Sequence, residues 1–200
     1  MTDKLGQRKV AIIQGHPDAA RKHLCHALAD AYAKGAEEAG HQVRRVEVAM
    51  LDFAFLRSKH AYEETDLPPA LEPAQQAIGW ADHLVFVYPL WMGTMPAMLK
   101  AFLEQAFRPG FAFSMVGGSG MGRKLLKGKS ARVVVTMGMS VFLYRWYFRA
   151  HSVKSFERNI LGFCGIGPIS ESLFGGVEGA DEPKRLAWLA KMRVLGRIAR

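Results

Sequence analysis

Two hundred residues, half of them hydrophobic, are enough for one α/β domain with a full core and exclude a disordered chain. A net charge of +9 points toward an anionic partner, which leaves nucleic acid, a membrane surface or small anions. The densest basic cluster, Arg123, Lys124, Lys127, Lys129 and Arg132, has no stacking aromatics between its charges and no zinc spacing nearby, so it reads as a solvated basic face or a phosphate attractor, and no nucleic acid is expected.

In chain order, Lys9 to Gln14 is a short apolar run bounded by charge and Gly15, the pattern of a buried parallel strand. Gly15-His16-Pro17-Asp18 is a turn. A helix follows from about Arg21 to Ala39, with Leu24, Leu28, Ala31, Tyr32 and Ala36 at helical spacing and Gly40 as its stop. Gln42 to Val48 alternates and reads as a half-exposed edge strand. Met50 to Arg57 suggests one or two helical turns, and Ser58 to Pro69 is a polar excursion. Ala70 to Asp82 predicts a helix with Ala74, Ala77, Ile78 and Ala81 on one face. Leu84 to Val87 predicts the third strand, and Pro96 to about Phe107 a helix.

Arg108 to Phe113 then leads into a Gly117 to Gly122 loop expected to be flexible. Phe107, Phe111 and Phe113 divide between core and a substrate or dimer wall. Ser130 to Thr136 is a fourth strand, and Val141 to Phe163 one broken helix or two short ones. Ile166 to Phe174 holds a fifth strand that Gly175-Gly176 ends. Asp181 to Arg200 is a closing helix with Leu186, Leu189, Met192, Leu195 and Ile198 at its apolar positions. Alternating strands and helices in a single domain over residues 1–200 predict a flavodoxin-like doubly wound parallel sheet, order 2-1-3-4-5.

In such a sheet, ligands bind at the carboxyl ends of the strands, beside the switch point between the first and third. The loops there are Gly15 to His23, Tyr88 to Met95 and Thr136 to Tyr144. In the first, a helix start plus His16, Arg21, Lys22 and His23 suits a phosphate. The middle loop, Pro89-Leu90-Trp91-Met92-Gly93, is apolar where a solvent loop would carry Asn, Asp and Ser. Such a wall suits a flat flavin ring better than it suits a core. The third, Thr136-Met137-Gly138-Met139, can offer amides to the ring's carbonyl end. Tyr144 and His151 on the next helix are the candidate proton donors. His23 and His26 have helical spacing but no evident third ligand, so no metal is expected.

Pro89-Leu90-Trp91-Met92-Gly93-Thr94-Met95-Pro96-Ala97-Met98-Leu99-Lys100, followed by Arg108 to Phe113, resembles the NAD(P)H:quinone oxidoreductase family of flavodoxin-like proteins. Gly15-His16-Pro17, Leu125 to Lys129, Gly162 to Ile166 and Leu173 to Val177 resemble it too. The resemblance implies a homodimer with one non-covalent flavin per subunit, FMN or FAD. It implies NAD(P)H as co-substrate and ping-pong, two-electron reduction of quinones or similar planar acceptors. It implies that His16 touches the flavin phosphate, that Pro89 to Met92 line the ring, that Thr136 to Met139 hold its pyrimidine end, and that Tyr144 is the ring-proximal tyrosine. Met137 and Met139 stand where the family has smaller residues, and could narrow the pocket. The family's histidine position falls near Ala150, one residue before His151. The first loop has Ala19, Ala20 and Arg21 where the family has Ser or Thr.

Cys25 and Cys164 lie far apart, and no signal peptide is evident at Met1 to Leu5, so free buried thiols in a reducing cytoplasm are expected. The longest apolar run, Val133 to Phe148, is short for a membrane span and holds Arg145. Two other functional readings are a regulatory subunit of a potassium-efflux-type system, docking through its basic faces, and a one-electron carrier of the flavodoxin kind.

Overall fold

The computed structural model describes residues 6–20, 23–114 and 122–200. Strand β1 (Lys9–Gln14) enters helix α1 (Leu24–Glu38), which returns the chain to β2 (Gln42–Glu47). Gly40 follows α1 with φ +82, a left-handed conformation that lets the chain reverse into β2. The segment after β2 makes one 3-10 turn, Val48–Met50, and then runs irregularly to residue 58, so the expected helical turns over 50–57 do not form. A short helix α2 (Lys59–Glu63), capped by Ser58 accepting from the Ala61 amide at 3.1 Å, occupies the polar excursion. Buried Arg108 ties this excursion down by donating to the carbonyls of Thr65 (2.6 Å) and Asp66 (3.1 Å).

A 3-10 turn, Pro69–Leu71, leads into α3 (Glu72–Trp80), and then come β3 (His83–Pro89) and α4 (Ala97–Ala106). A small antiparallel pair, β4 (Phe113–Ser114) with β5 (Arg123–Lys124), precedes β6 (Ser130–Met137). The loop expected over 117–122 lies outside the described residues except for its last position. Between β6 and β7 (Ile169–Gly175) the chain is helical in pieces. These are α5 (Val141–Trp146), α6 (His151–Ser155), a π-helical turn Phe156–Leu161 and α7 (Gly162–Cys164). The break between α5 and α6 is a pair of left-handed residues, Arg149 (φ 52) and Ala150 (φ 50). Helix α8 (Glu182–Arg197), capped by Asp181, closes the fold; its Leu186 is exposed, whereas Met192 is buried.

The sheet order is β2-β1-β3-β6-β7, all parallel, so the predicted topology holds. Residues alternate between two cores, as the two-residue strand period requires. Val10, Ile12, Val85, Val87 and Val134 face α1 and α8. Ala11, Ile13, Phe86, Tyr88, Val133 and Val135 face the other layer, with Leu99, Phe102 and Phe156. β3 is buried at every position, as the central strand of such a sheet must be.

The basic cluster forms a solvated face only in part: Arg123, Lys124 and Lys127 are exposed, but several of its cations reach backbone acceptors. Arg132 is buried and donates to Ser172 Oγ at 2.7 Å and to the Arg200 carbonyl. Lys129 holds the carbonyls of Gly79 (2.7 Å) and Ala81 (2.5 Å), and Lys124 that of Gly162 (2.8 Å). These cations serve as carbonyl staples.

Helices α1 and α8 meet at two glycines. A Cβ on Gly35 would lie 1.9 Å from the Arg193 carbonyl oxygen, and one on Gly196 would lie 2.0 Å from that of Tyr32. Neither neighbour is a flexible side chain that could swing away. Gly35→Ala is expected to lower stability by about 1–3 kcal/mol through overpacking; an unchanged melting temperature contradicts this contact.

Two buried histidines set a pH dependence. Burial, with Arg8 and Arg132 nearby, lowers His83 to about 3, and burial with His23 and His26 nearby lowers His16 to about 4. In the unfolded chain both titrate near ~6.5. Between those values the unfolded state binds protons that the folded state refuses, so stability is full above about pH 6.5 and falls on acidification. The melting temperature of the cofactor-free protein should therefore drop between pH 7 and pH 5, and should drop less in His83→Gln; a flat wild-type profile contradicts the assignment.

Candidate functional site

The three loops singled out by composition converge at the carboxyl ends of β1, β3 and β6. Backbone bonds lock them together. The Gly15 amide donates to the Val87 carbonyl at 2.8 Å, and the Leu90 amide to the Thr136 carbonyl at 2.7 Å. The Thr136 hydroxyl meets Cys25 Sγ at 3.1 Å, which joins the third loop to α1.

The first loop builds a cluster of three imidazoles. His16 and His23 stack with centroids 3.9 Å apart, and His26 lies 5.3 Å from His16. His16 Nδ1 accepts from the Asp18 amide at 3.1 Å, so the neutral ring carries its proton on Nε2. His26 Nδ1 likewise accepts from the His23 amide at 3.2 Å, and His23 Nε2 meets Asp18 Oδ2 at 3.1 Å. With its pKa near 4, His16 is uncharged at neutral pH and supplies a donor, not the positive charge expected of it. Beside it, buried Gln14 holds the His16 amide through Oε1 at 3.1 Å, while its Nε2 finds no acceptor among the described residues. Arg21 and Lys22, the other expected phosphate ligands, lie outside the described residues.

The middle loop is tied off by a reciprocal pair, Trp91 amide to Thr94 carbonyl (2.9 Å) and Thr94 amide to Trp91 carbonyl (3.0 Å). Trp91 is not core: it is 49% exposed, and Met92 beside it is 101% exposed with φ 47. A bulky residue in the left-handed region, fully in solvent, is strained without an internal reason. The indole of Trp91 lies edge-on to His16, centroids 5.9 Å apart. It also lines an open cavity of about 550 Å³, walled by Met92, Met95, Pro96, Phe156 and Ile160, within the size range of cofactor pockets. Trp91 is thus a wall shared by the imidazole cluster and the apolar cavity. Pro89 is buried, Leu90 half-buried and Gly93 exposed at φ +80.

The third loop differs from its expected form. Met137 is buried in the core and cannot narrow the cleft; Met139 packs half-buried against the same core. Gly138 is exposed. The Met139 carbonyl accepts from the Gly176 amide at 3.0 Å, and a Cβ on Gly175 would lie 2.7 Å from that oxygen, so the end of β7 clasps this loop from behind.

Neither candidate proton donor opens on the cavity. Tyr144 is 2% exposed, and its hydroxyl bonds Ser152 Oγ at 2.7 Å and accepts from the Val153 amide at 3.3 Å. His151 is exposed on a neighbouring basic pocket. Ser152, which sequence reasoning missed, lines the cavity from this helix together with Ser155, and Tyr144 stands behind Ser152. Its signal was only its place beside His151 and after the break at Ala150. Phe107 and Phe113 are buried core residues that also wall a smaller cavity of about 210 Å³ with Tyr62 and Phe163, while Phe111 is half-buried against the same core.

This chain is 28% identical over 182 residues to an uncharacterized NAD(P)H oxidoreductase of Haemophilus influenzae, with 89% of each chain covered. Ribosyldihydronicotinamide dehydrogenase (quinone) of Homo sapiens is 26% identical over 148 residues, 70% of this chain and 63% of that protein, so the chain spans just under two thirds of that relative's length. The solved structure of NAD(P)H:quinone oxidoreductase from Methanothermobacter marburgensis superimposes with a TM-score of 0.80 at 25% identity, covering 96% of both chains. An FMN-dependent NADH-azoreductase from Bacillus anthracis, solved with FMN, shares the fold with a TM-score of 0.71 at 17% identity, covering 96% of this chain and 98% of that one. The model of the flavodoxin-like fold matches residues 8–194, and this chain belongs to that family.

Proposed function

We propose that this protein is a flavin-dependent NAD(P)H oxidoreductase that reduces quinones or similar planar acceptors by two electrons. The observation that carries the reading is Trp91, a half-exposed indole set between a cluster of imidazole donors and an apolar cavity. The residues present fit a flavin. His16, with Nε2–H free to donate, and the unsatisfied Gln14 amide stand where a phosphate or ribityl oxygen would need donors. Trp91 and Met92 present apolar surface to a ring, and the exposed Gly138 leaves backbone open at its far end. When bound, the flavin supplies hydride acceptance from NAD(P)H and hydride delivery to the acceptor.

The chain's own share is orientation and exclusion of water. Its rigid loops, cross-bonded through Val87 and Thr136, fix the walls before any ligand arrives. Ser152 Oγ is a hydroxyl at the cavity that can exchange a proton, and Tyr144 positions it from behind. His151 faces the adjoining pocket and contributes to binding there. Both cysteines are free and buried, which suits a reducing compartment such as the cytoplasm. Among the described residues no helix is long and apolar enough to cross a membrane.

The outer face of α5 supports a homodimer. Phe142 (74% exposed) stacks on Trp146 (71% exposed), and Tyr147, next in sequence, is exposed as well, aromatic surface that water disfavours. Sedimentation should report a dimer in the wild type and a monomer in Trp146→Glu; a monomeric wild type removes this reading.

Purified protein mixed with FMN or FAD should retain a yellow flavin and oxidise NAD(P)H when a quinone is added. Trp91→Ala should weaken flavin retention about tenfold or more while the melting temperature of the cofactor-free protein stays within about a degree, because a half-exposed side chain contributes little to the core. Loss of the fold in Trp91→Ala, or failure of the wild type to hold either flavin, contradicts the assignment.

A further inference from the structure

A second pocket, of about 380 Å³, adjoins the Trp91 cavity and shares Ser155 with it. Its lining has the opposite character. Arg149, His151, Lys154 and Arg158 converge on it, with Ser155 and Asn159 between them. Positions 151, 154, 155 and 158 fall on one helical face, and the left-handed pair Arg149–Ala150 folds the chain back so that Arg149 joins them. Backbone strain at two consecutive non-glycine residues is held here for a reason other than core packing of Arg149, which is exposed.

The charges of this pocket are uncommitted. The side chains of Arg149, Lys154 and Arg158 make no ion pair or hydrogen bond among the described residues. Several cations elsewhere are engaged, Arg145 with Glu171, Arg193 and Arg197 with Glu38, and Arg45 with Asp30. The nearest acid on the same turn, Glu157, lies within the field of Arg158 but bonds Glu171 beside Arg145; its pKa rises to about 7 through burial and that second carboxylate, so it neutralises the pocket poorly. Three uncompensated cations in one concavity repel one another, and an anion relieves that repulsion. Guanidinium forks in particular match the paired oxygens of carboxylate, sulfonate and phosphate.

We propose that this pocket is an anion subsite, and that the protein's preferred ligand is amphipathic: a flat apolar body in the Trp91 cavity and an anionic oxygen group on Arg149, Lys154 and Arg158. The inference deepens the oxidoreductase reading and rests on it for the identity of the flat body. The anion has two possible sources with the same chemistry, a charged group on the acceptor or a phosphate of the nicotinamide dinucleotide.

The test compares wild type with Arg149→Gln/Arg158→Gln in the flavin-loaded protein. Calorimetric binding and kcat/KM are measured for 1,4-naphthoquinone-2-sulfonate and for unsubstituted 1,4-naphthoquinone, alongside binding of NADPH. Loss of two charge-assisted contacts should weaken the sulfonate at least tenfold while the neutral quinone is unaffected. A matching loss for NADPH, with both quinones unchanged, supports the subsite and assigns it to the dinucleotide. Added salt should reduce the wild-type preference for the anion and leave the variant indifferent. Equal affinities of wild type and variant for all three ligands overturn the proposal. Binding of the sulfonate without any turnover retains the subsite and defeats the redox reading alone. Removing unpaired, exposed cations should not lower the melting temperature, so a variant that unfolds marks these arginines as structural and overturns the subsite.

Discussion

The structure depends on one constraint: a parallel sheet whose chain reverses its winding between β1 and β3. That reversal opens a crevice at the carboxyl ends of two adjacent strands, and the loops leaving β1, β3 and β6 must share it. Sharing is enforced by backbone bonds, Gly15 to Val87 and Leu90 to Thr136, and by the contact of Cys25 with Thr136. The loops therefore do not move as independent flaps. The Gly15 and Leu90 amides next to the strands are occupied, while Trp91 to Gly93 and Gly138 are exposed. Whatever binds there meets a preformed edge.

The frame was legible because its signals are local. Apolar runs bounded by charge marked β1 and β3, and the alternation of Gln42 to Glu47 marked the edge. The composition of the middle loop was legible for the complementary reason: Trp91 and Met92 break the rule that loops are polar, and the structure leaves both of them exposed. The failures share a different cause. Met137 looked like a pocket residue because it follows a strand, but β6 extends one residue further than read and carries it into the core. Tyr144 and His151 lie on two helices, α5 and α6, separated by the left-handed break at Arg149–Ala150, and nothing in residue types announces such a break in a non-glycine pair. Beyond that break His151 is exposed and Ser152 lines the cavity, so helical periodicity carried across it could not place them.

Charge was the least legible property. A run of five basic residues over 123–132 looked like a surface field, yet Lys124, Lys129 and Arg132 each reach backbone carbonyls. Sequence density of charge says nothing about commitment, which depends on where acceptors lie in three dimensions. The converse holds for α6 and the turn after it, where Lys154 and Arg158 drew less notice and make no ion pair or hydrogen bond among the described residues.

Commitment of charge also separates the two ends of the crevice. At the first loop, burial and the neighbouring imidazoles keep His16 neutral, and Asp18 answers His23, so the described residues of that end offer donors with little net field. At the α6 end the cations stand free in solvent-open space. A neutral donor set recognises an anion by geometry and holds it in a water-poor setting, which suits a cofactor that stays. An exposed cationic set acts at longer range and is screened by salt, which suits a ligand that enters and leaves each cycle. Trp91 lies between these two regimes: its indole stands edge-on to His16 and lines the apolar cavity that shares Ser155 with the cationic pocket. On the proposed reading, retention of a cofactor and selection of a substrate would fall to different residues, and each could be altered without the other.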